Sequence, residues 1–220
     1  TITFSHKSNN LLYNYPLNGL TLNKVDEICD LGILFDSQIN FNRHIDNIIS
    51  KAFRMCGFIK RQTKDFSDVN AIRKLFVAYI RPILEYCNII WYPYYDIHQT
   101  RLERGQRKFV NYLVNSIYEH KLMLANLETL GSRKVKSDII FGFKLLKNII
   151  DCTELVNLFQ FRVPRSASRC TETFVLNFHK TNYGTYCCII DNISRAINFL
   201  DVNTDVMQLS LSSLVRELRN

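Results

Sequence analysis

The chain has 220 residues, enough to bury a core, and 47% of them are hydrophobic, which excludes a disordered polyampholyte. Its formal net charge is +8, which points towards acidic partners. Seven glycines and four prolines amount to under half of the roughly 12% usual share, so turns are scarce and helices are favoured.

Residues 1–36 are expected to be β-rich. Thr1–Phe4 alternates, and Leu11–Tyr15 is a second short run. Asn18-Gly19 is a hairpin turn signal, because both residues tolerate positive φ. A third strand is expected over Val25–Phe35, with a kink at Gly32.

A long helix is expected from an Asn40 N-cap to about Gln62. Phe41, Ile45, Ile48, Ile49, Ala52, Phe53, Cys56 and Ile59 recur at steps of three and four, which puts them on one face. Arg43, Lys51, Arg54, Lys60 and Arg61 fall on the other side. A second helix is capped by Ser67 or Asp68 and carries the stripe Val69, Ile72, Phe76, Tyr79, Ile80 and Ile83. Pro82 kinks it or starts a new helix, and the pattern continues through Leu84, Cys87 and Ile90 to Trp91. A third helix runs from about Ile97 to Val114, with Arg101, Arg104, Arg107 and Lys108 spaced to share a face beside Leu102, Phe109 and Leu113.

Downstream, Val135–Ile150 reads as a helix with Ser132 near its start, and Thr153–Phe161 as a shorter one. Arg162–Tyr186 is polar and irregular, broken by Pro164 and Gly184. Ile189–Leu200 and Val206–Leu218 are helical patterns again. The fold class is therefore mainly α, with short N-terminal strands.

Leu75–Tyr95 is the most apolar stretch, but Arg81 and Glu85 interrupt it, so no spanning segment is expected. Thr1–Asn10 is polar and has no secretory-leader pattern. The seven cysteines lack any C-x-x-C pair and read as reduced thiols, which places the protein inside the cell, away from membranes. No Walker loop, G-x-S-x-G or H-E-x-x-H occurs, and no Asp-Asp pair. His6, His44, His98, His120 and His179 are scattered, and a zinc site is not expected.

Charge is unevenly distributed. From Phe41 to Val110 there are thirteen basic against six acidic residues, a surplus of seven in about a third of the chain. A single basic helix is usually a solvated surface. Localised cationic charge of this kind raises affinity for polyanions.

One phrase goes further. Asp30-Leu31-Gly32-Ile33-Leu34-Phe35-Asp36, then a helix, then Arg81-Pro82-Ile83-Leu84-Glu85-Tyr86 and Trp91-Tyr92-Pro93 together resemble the thumb region of reverse transcriptases from non-LTR retrotransposons, the jockey-like insect elements in particular. The resemblance implies three parts. Residues 1–36 would be a palm-edge and primer-grip remnant, 37–115 a thumb-like bundle, and 116–220 a C-terminal helical segment. It makes the partner an RNA–DNA hybrid or similar duplex, together with the palm and fingers of the parent polyprotein. Lys51, Arg54, Lys60, Arg61, Lys64, Arg101, Arg104, Arg107 and Lys108 would contact the duplex. Leu31-Gly32 matches the family's Tyr-Leu-Gly primer grip, with Asp30 standing where the tyrosine usually is. The parent enzyme, an RNA-directed DNA polymerase, needs Mg bound by carboxylates that would lie upstream of Thr1. The present residues would then hold no cofactor and be inactive alone. The alternative is a degenerate or repurposed helical interaction domain, with Trp91, Tyr92, Tyr94 and Tyr95 as a contact surface.

Overall fold

Two tight hairpins open the chain. In the computed structural model, which describes residues 1–5, 13–65, 68–93, 95–113, 127–163, 172–180, 185, 188–200 and 209–218, β1 (Pro16–Leu17) pairs antiparallel with β2 (Leu20–Thr21). Asn18 and Gly19 form the turn with φ of 51° and 79°, as their identity demands. The second hairpin joins β3 (Glu27–Asp30) to β4 (Ile33–Asp36), with Asp30 opposite Ile33. The single strand expected over Val25–Phe35 is thus two strands. Leu31 and Gly32 both take positive φ, 45° and 83°, and reverse the chain in two residues. Thr1–Phe4 forms no strand, although the Thr1 carbonyl accepts from Val25 N–H at 2.8 Å and Ser5 N–H donates to the Ser37 carbonyl at 3.0 Å. Tyr13–Tyr15 is likewise outside any strand, and Leu11 and Leu12 lie outside the described residues.

Helix α1 spans Asn42–Gln62. Its start is not capped by Asn40. The Asp36 carboxylate accepts from the amides of Gln38 at 2.9 Å, Asn40 at 3.1 Å and Phe41 at 2.9 Å, and Phe41 enters the helix at φ 56°. An ionised acceptor at the end of β4 outcompetes a neutral amide side chain for these donors. Phe41, Ile45, Ile48, Ala52, Cys56 and Ile59 are buried as the spacing predicts, and His44 joins them.

Helix α2 (Val69–Leu75) is capped by Asp68, whose carboxylate accepts from Asn70 N–H at 2.8 Å. Ser67 lies outside the described residues. The chain then widens into one π turn, Phe76–Ile80, before α3 (Arg81–Glu85) begins with Pro82 in its first turn. The π turn accommodates the proline and shifts the buried stripe. Ile72, Phe76, Ile80 and Leu84 face inward at four-residue steps, while Val69 and Tyr79, expected inside, are exposed. Cys87, in the left-handed region at φ 50°, separates α3 from α4 (Asn88–Trp91). Helix α5 covers Asp96–Leu113. These helices pack around one interior in which Phe76 stacks on Phe109 with centroids 4.6 Å apart. Gly105 of α5 allows the Leu84 methyls to approach, since a Cβ there would lie 3.3 Å from one of them.

The chain divides into two units, Thr1–Leu127 and Glu128–Asn220. In the second, α6 (Leu130–Leu146) starts earlier than the sequence pattern, because Thr129 caps it by accepting from Ser132 N–H at 3.1 Å. A short α7 (Thr153–Val156) follows, and the residues to Phe161 leave the helix expected there. Phe161 bridges to Phe174. Asn198 ties that bridge down, accepting from the Thr173 and Phe174 amides at 3.1 and 3.0 Å and donating to the Phe174 carbonyl at 3.0 Å. Pro164 and Gly184 lie outside the described residues, as do residues 206–208. Helix α8 (Ile189–Asn198) packs along α6, and α9 (Leu211–Glu217), capped by Ser210, closes the core around Phe143, Ile193 and Leu214. Among the described residues no helix is long and apolar enough to cross a membrane.

Candidate nucleic-acid interface

Helices α1 and α5 lie side by side, and their contacts fix the direction. Asp46 is ion-paired with Arg101, Lys108 lies over the Phe53 ring at 4.3 Å, and Lys60 lies over the Tyr112 ring at 5.1 Å. Tyr112 Oη also meets Thr63 Oγ1 at 3.0 Å. Both partner numbers rise together, so the two helices run parallel. Asp46, Phe53 and Lys60 are spaced by seven, which keeps them on one seam.

Three cations therefore stand along that seam: Arg101 at the level of residue 46, Lys108 at 53 and Lys60 itself. At 1.5 Å per residue they are about 10 Å apart, a row of about 21 Å. Arg54 and Arg61, again seven apart, each follow a seam residue by one position and so stand about 100° round α1 from it, on the solvent side; the Arg61 guanidinium lies back towards Gly57. Lys64 follows just past the helix end. Arg104 lines the α5 flank, one turn before Lys108. Lys51, Arg54, Arg61, Lys64 and Arg104 are exposed and make no ion pair among the described residues.

Two of the expected contacts diverge. Each three-residue step falls about 60° short of a turn, so Arg107 is carried a third of the way round α5 from Arg101. Lys51 faces the opposite margin of α1, towards His44, whose ring is kept harder to protonate by burial first and by Lys51 second. Arg101 is also less available than its sequence position implied, because Asp46 engages it and His98 Nδ1 is 3.3 Å away.

Leu31 and Gly32 form the exposed tip of the β3–β4 hairpin, and Leu31 retains 82% of its surface. Tyr86, at the end of α3, donates its hydroxyl to the Leu31 carbonyl at 3.0 Å. His44 Nδ1 accepts from the Leu34 amide at 3.2 Å, and Arg43 is ion-paired with Glu27. These three side chains hold the hairpin at the start of α1. No local sequence pattern gives any of them this role, since each partner is distant along the chain.

The aromatic cluster divides. Trp91 is fully buried, edge-on to His44 at 5.1 Å, with its indole N–H on the Tyr86 carbonyl at 2.7 Å. Tyr92 is largely buried, and that burial, helped by Glu103, pushes its phenol up to about 12. Tyr95 is exposed, and Tyr94 lies outside the described residues. Trp91 and Tyr92 are thus packing groups.

The carboxylates do not fit a metal. Glu27 and Asp36 are opposite each other across β3–β4, but Glu27 is taken by Arg43 and Asp36 by backbone amides. Among the described residues no group of three His, Cys, Asp or Glu could hold a metal ion.

No known protein-family model matches the chain, and no solved structure matches it. It is similar to an uncharacterized protein of Caenorhabditis elegans, B0403.1, with 34% identity over 61 residues. That stretch is 28% of this chain and 30% of the nematode protein, so the match covers under a third of either.

Proposed function

We propose that the Thr1–Leu127 unit is a duplex-holding, thumb-like part of a non-LTR retrotransposon reverse transcriptase, which binds template–primer through its phosphates. The observation that carries this reading is the row of Arg101, Lys108 and Lys60 along the α1–α5 seam, flanked by Arg54, Arg61, Lys64 and Arg104. Straight parallel rods with cations on one side suit a polyanion of regular shape. Lysine side chains lie over Phe53 and Tyr112, so the seam offers charge in place of rings for bases to stack on. Single-strand binders depend on such rings. A duplex keeps its bases stacked and presents phosphates and sugars, which is what this surface addresses. The role of these residues is holding; nucleotidyl transfer would be the work of carboxylates elsewhere in the parent enzyme.

The test is fluorescence anisotropy of a labelled RNA–DNA hybrid across a salt series, against a single strand of the same length. Arg54, Arg61 and Arg104 are the residues to change, because none is ion-paired among the described residues. Arg101 is a poor choice, since its loss would leave Asp46 unmatched. The triple change to Gln should reduce the slope of log affinity against log salt by about 2–3, close to one for each phosphate no longer neutralised. No binding at low salt, or an unchanged slope in the triple variant, would refute the proposal.

A further inference from the structure

His44 occupies an unusual position. It lies in the first turn of α1, is almost fully buried, and touches three elements: its own helix, β4 through the Leu34 amide, and α4 through Trp91. Because Nδ1 accepts from Leu34 N–H, the ring is neutral with its proton on Nε2. Nε2 has no hydrogen-bond partner among the described residues. Nothing in the duplex-holding role uses this ring.

We propose that His44 is a proton-operated latch: a proton arriving at Nδ1 removes the acceptor from the Leu34 amide and unfastens β4 from the start of α1. The surroundings oppose the charged ring. Burial is the larger cause of its lowered pKa and the Lys51 ammonium the lesser. The charged and titratable groups around it are otherwise committed. On α1, Arg43 binds Glu27 of β3, and Asp46 binds Arg101 of α5, which also meets His98. On β4, Asp36 serves the loop amides. Helix α4 brings Trp91 and no ionisable group; Tyr86 and Cys87 precede it and Tyr92 follows. Of the carboxylates on the elements around the ring, Glu27, Asp36 and Asp46 are engaged, while Asp30 is exposed at the far end of β3. The Tyr86–Leu31 and Arg43–Glu27 ties do not involve the ring, so the hairpin pivots on them when the latch opens. The inference is independent of the nucleic-acid reading.

The sign follows from the direction of the shift. A free histidine binds its proton near 6.5, and the latched one binds it only below that. Closure is complete above the ordinary value and is lost as pH falls towards the lowered one.

The experiment is hydrogen exchange by NMR on the full chain, reading protection factors for Leu34 with the Phe109 amide as a core control. Leu34 protection should fall progressively between about pH 7 and pH 5, by up to about 25-fold where the latched ring stays neutral throughout, while Phe109 stays constant. In His44→Asn the amide oxygen replaces Nδ1 as acceptor and cannot titrate, so Leu34 should be flat. The latch is refuted by a flat Leu34 in the unaltered chain, by an equal fall in His44→Asn, or by Phe109 falling in step. If His44→Asn does not fold, the unaltered chain decides alone: the ring nitrogen shifts of His44 and the Leu34 protection must share one midpoint, and distinct midpoints refute the latch.

Discussion

Gly142 gives the sharpest test of the second unit. It lies in the middle of α6, where replacing glycine by alanine ordinarily stabilises a helix by about 1 kcal/mol. Here α8 comes too close. A Cβ at 142 would overlap the Ile193 Cγ2 methyl and stand 3.0 Å from Ile197 Cδ1. Ile193 is fully buried, and a β-branched side chain in a helix has essentially one χ1 rotamer, so its methyl cannot swing aside. Relief requires the helices to separate, and overpacking of this kind costs about 1–3 kcal/mol. With the cost at its upper end, Gly142→Ala should be less stable by about 1–2 kcal/mol net of the propensity gain, or about 4–8 °C in Tm for each kcal/mol in a unit this small. Urea unfolding followed through amides of α6 and α8 measures it. Adding Ile193→Ala removes the obstructing methyl, so the double variant should lose at least about 1 kcal/mol less than the sum of the singles. A stabilised Gly142→Ala would mean that the helices do not approach in this way.

Ile39 is a β-branched residue held at φ 54°, a conformation that costs about 1–2 kcal/mol; Ile39→Asn should raise stability by about 0.5–1 kcal/mol in urea unfolding, after allowance for its partial burial. Lys134 and Asp138 are a buried ion pair one turn apart on α6, so Lys134→Met should cost about 3–5 kcal/mol at neutral pH. Burial already raises the Asp138 carboxyl above its usual 3.8, opposed by Lys134, and removing the lysine raises it further. A carboxyl raised in the folded state favours folding at low pH, and that contribution is lost as pH rises through the raised value. The deficit of Lys134→Met should therefore shrink as pH falls towards about 4, and a deficit independent of pH would contradict this. Arg54→Gln with Arg104→Gln should leave the thermal midpoint within the shift expected of about 0.5 kcal/mol, since neither side chain is ion-paired among the described residues.

Much of the helical unit could be read from residue patterns. Helix α5 runs over Asp96–Leu113 against the expected Ile97–Val114, and Asp68, one of the two caps expected, caps α2. Asn18-Gly19 turns the first hairpin because its residues favour that geometry. Leu31-Gly32 does the same against the preference of leucine. The register of β3 on β4 and the Tyr86 hydroxyl hold it there, and both are tertiary effects invisible to local propensity. The cap of α1 departs from expectation for a related reason: a carboxylate five residues before Phe41 reaches the three amides near the helix start, where the sequence favours Asn40 as the cap. At the candidate interface the charge was legible and its arrangement was not. Which cations share a seam depends on α5 lying parallel to α1, which is decided by how the π turn and α3 return the chain between them.

A helix can carry surplus cations for a reason unrelated to binding. Basic residues in a last turn complement the helix dipole, and Lys60 and Arg61 at the end of α1 serve that purpose. The dipole is felt only within a turn of the terminus, so it says nothing for Lys51, Arg54 or Arg104. None of these has an ionic partner among the described residues, and the chain's net charge of +8 makes each a small repulsive cost. Solubility alone would be served as well by acids placed among them. Arg54 and Arg104 stand on the two flanks of the same seam as Lys108, whose own position over Phe53 is fixed. Within the row along the seam, Arg101 and Lys108 lie away from the end of α1, so the helix dipole that accounts for Lys60 does not account for the row. A duplex that bound only through the C-terminal end of α1 would be exploiting charge already accounted for by the helix dipole.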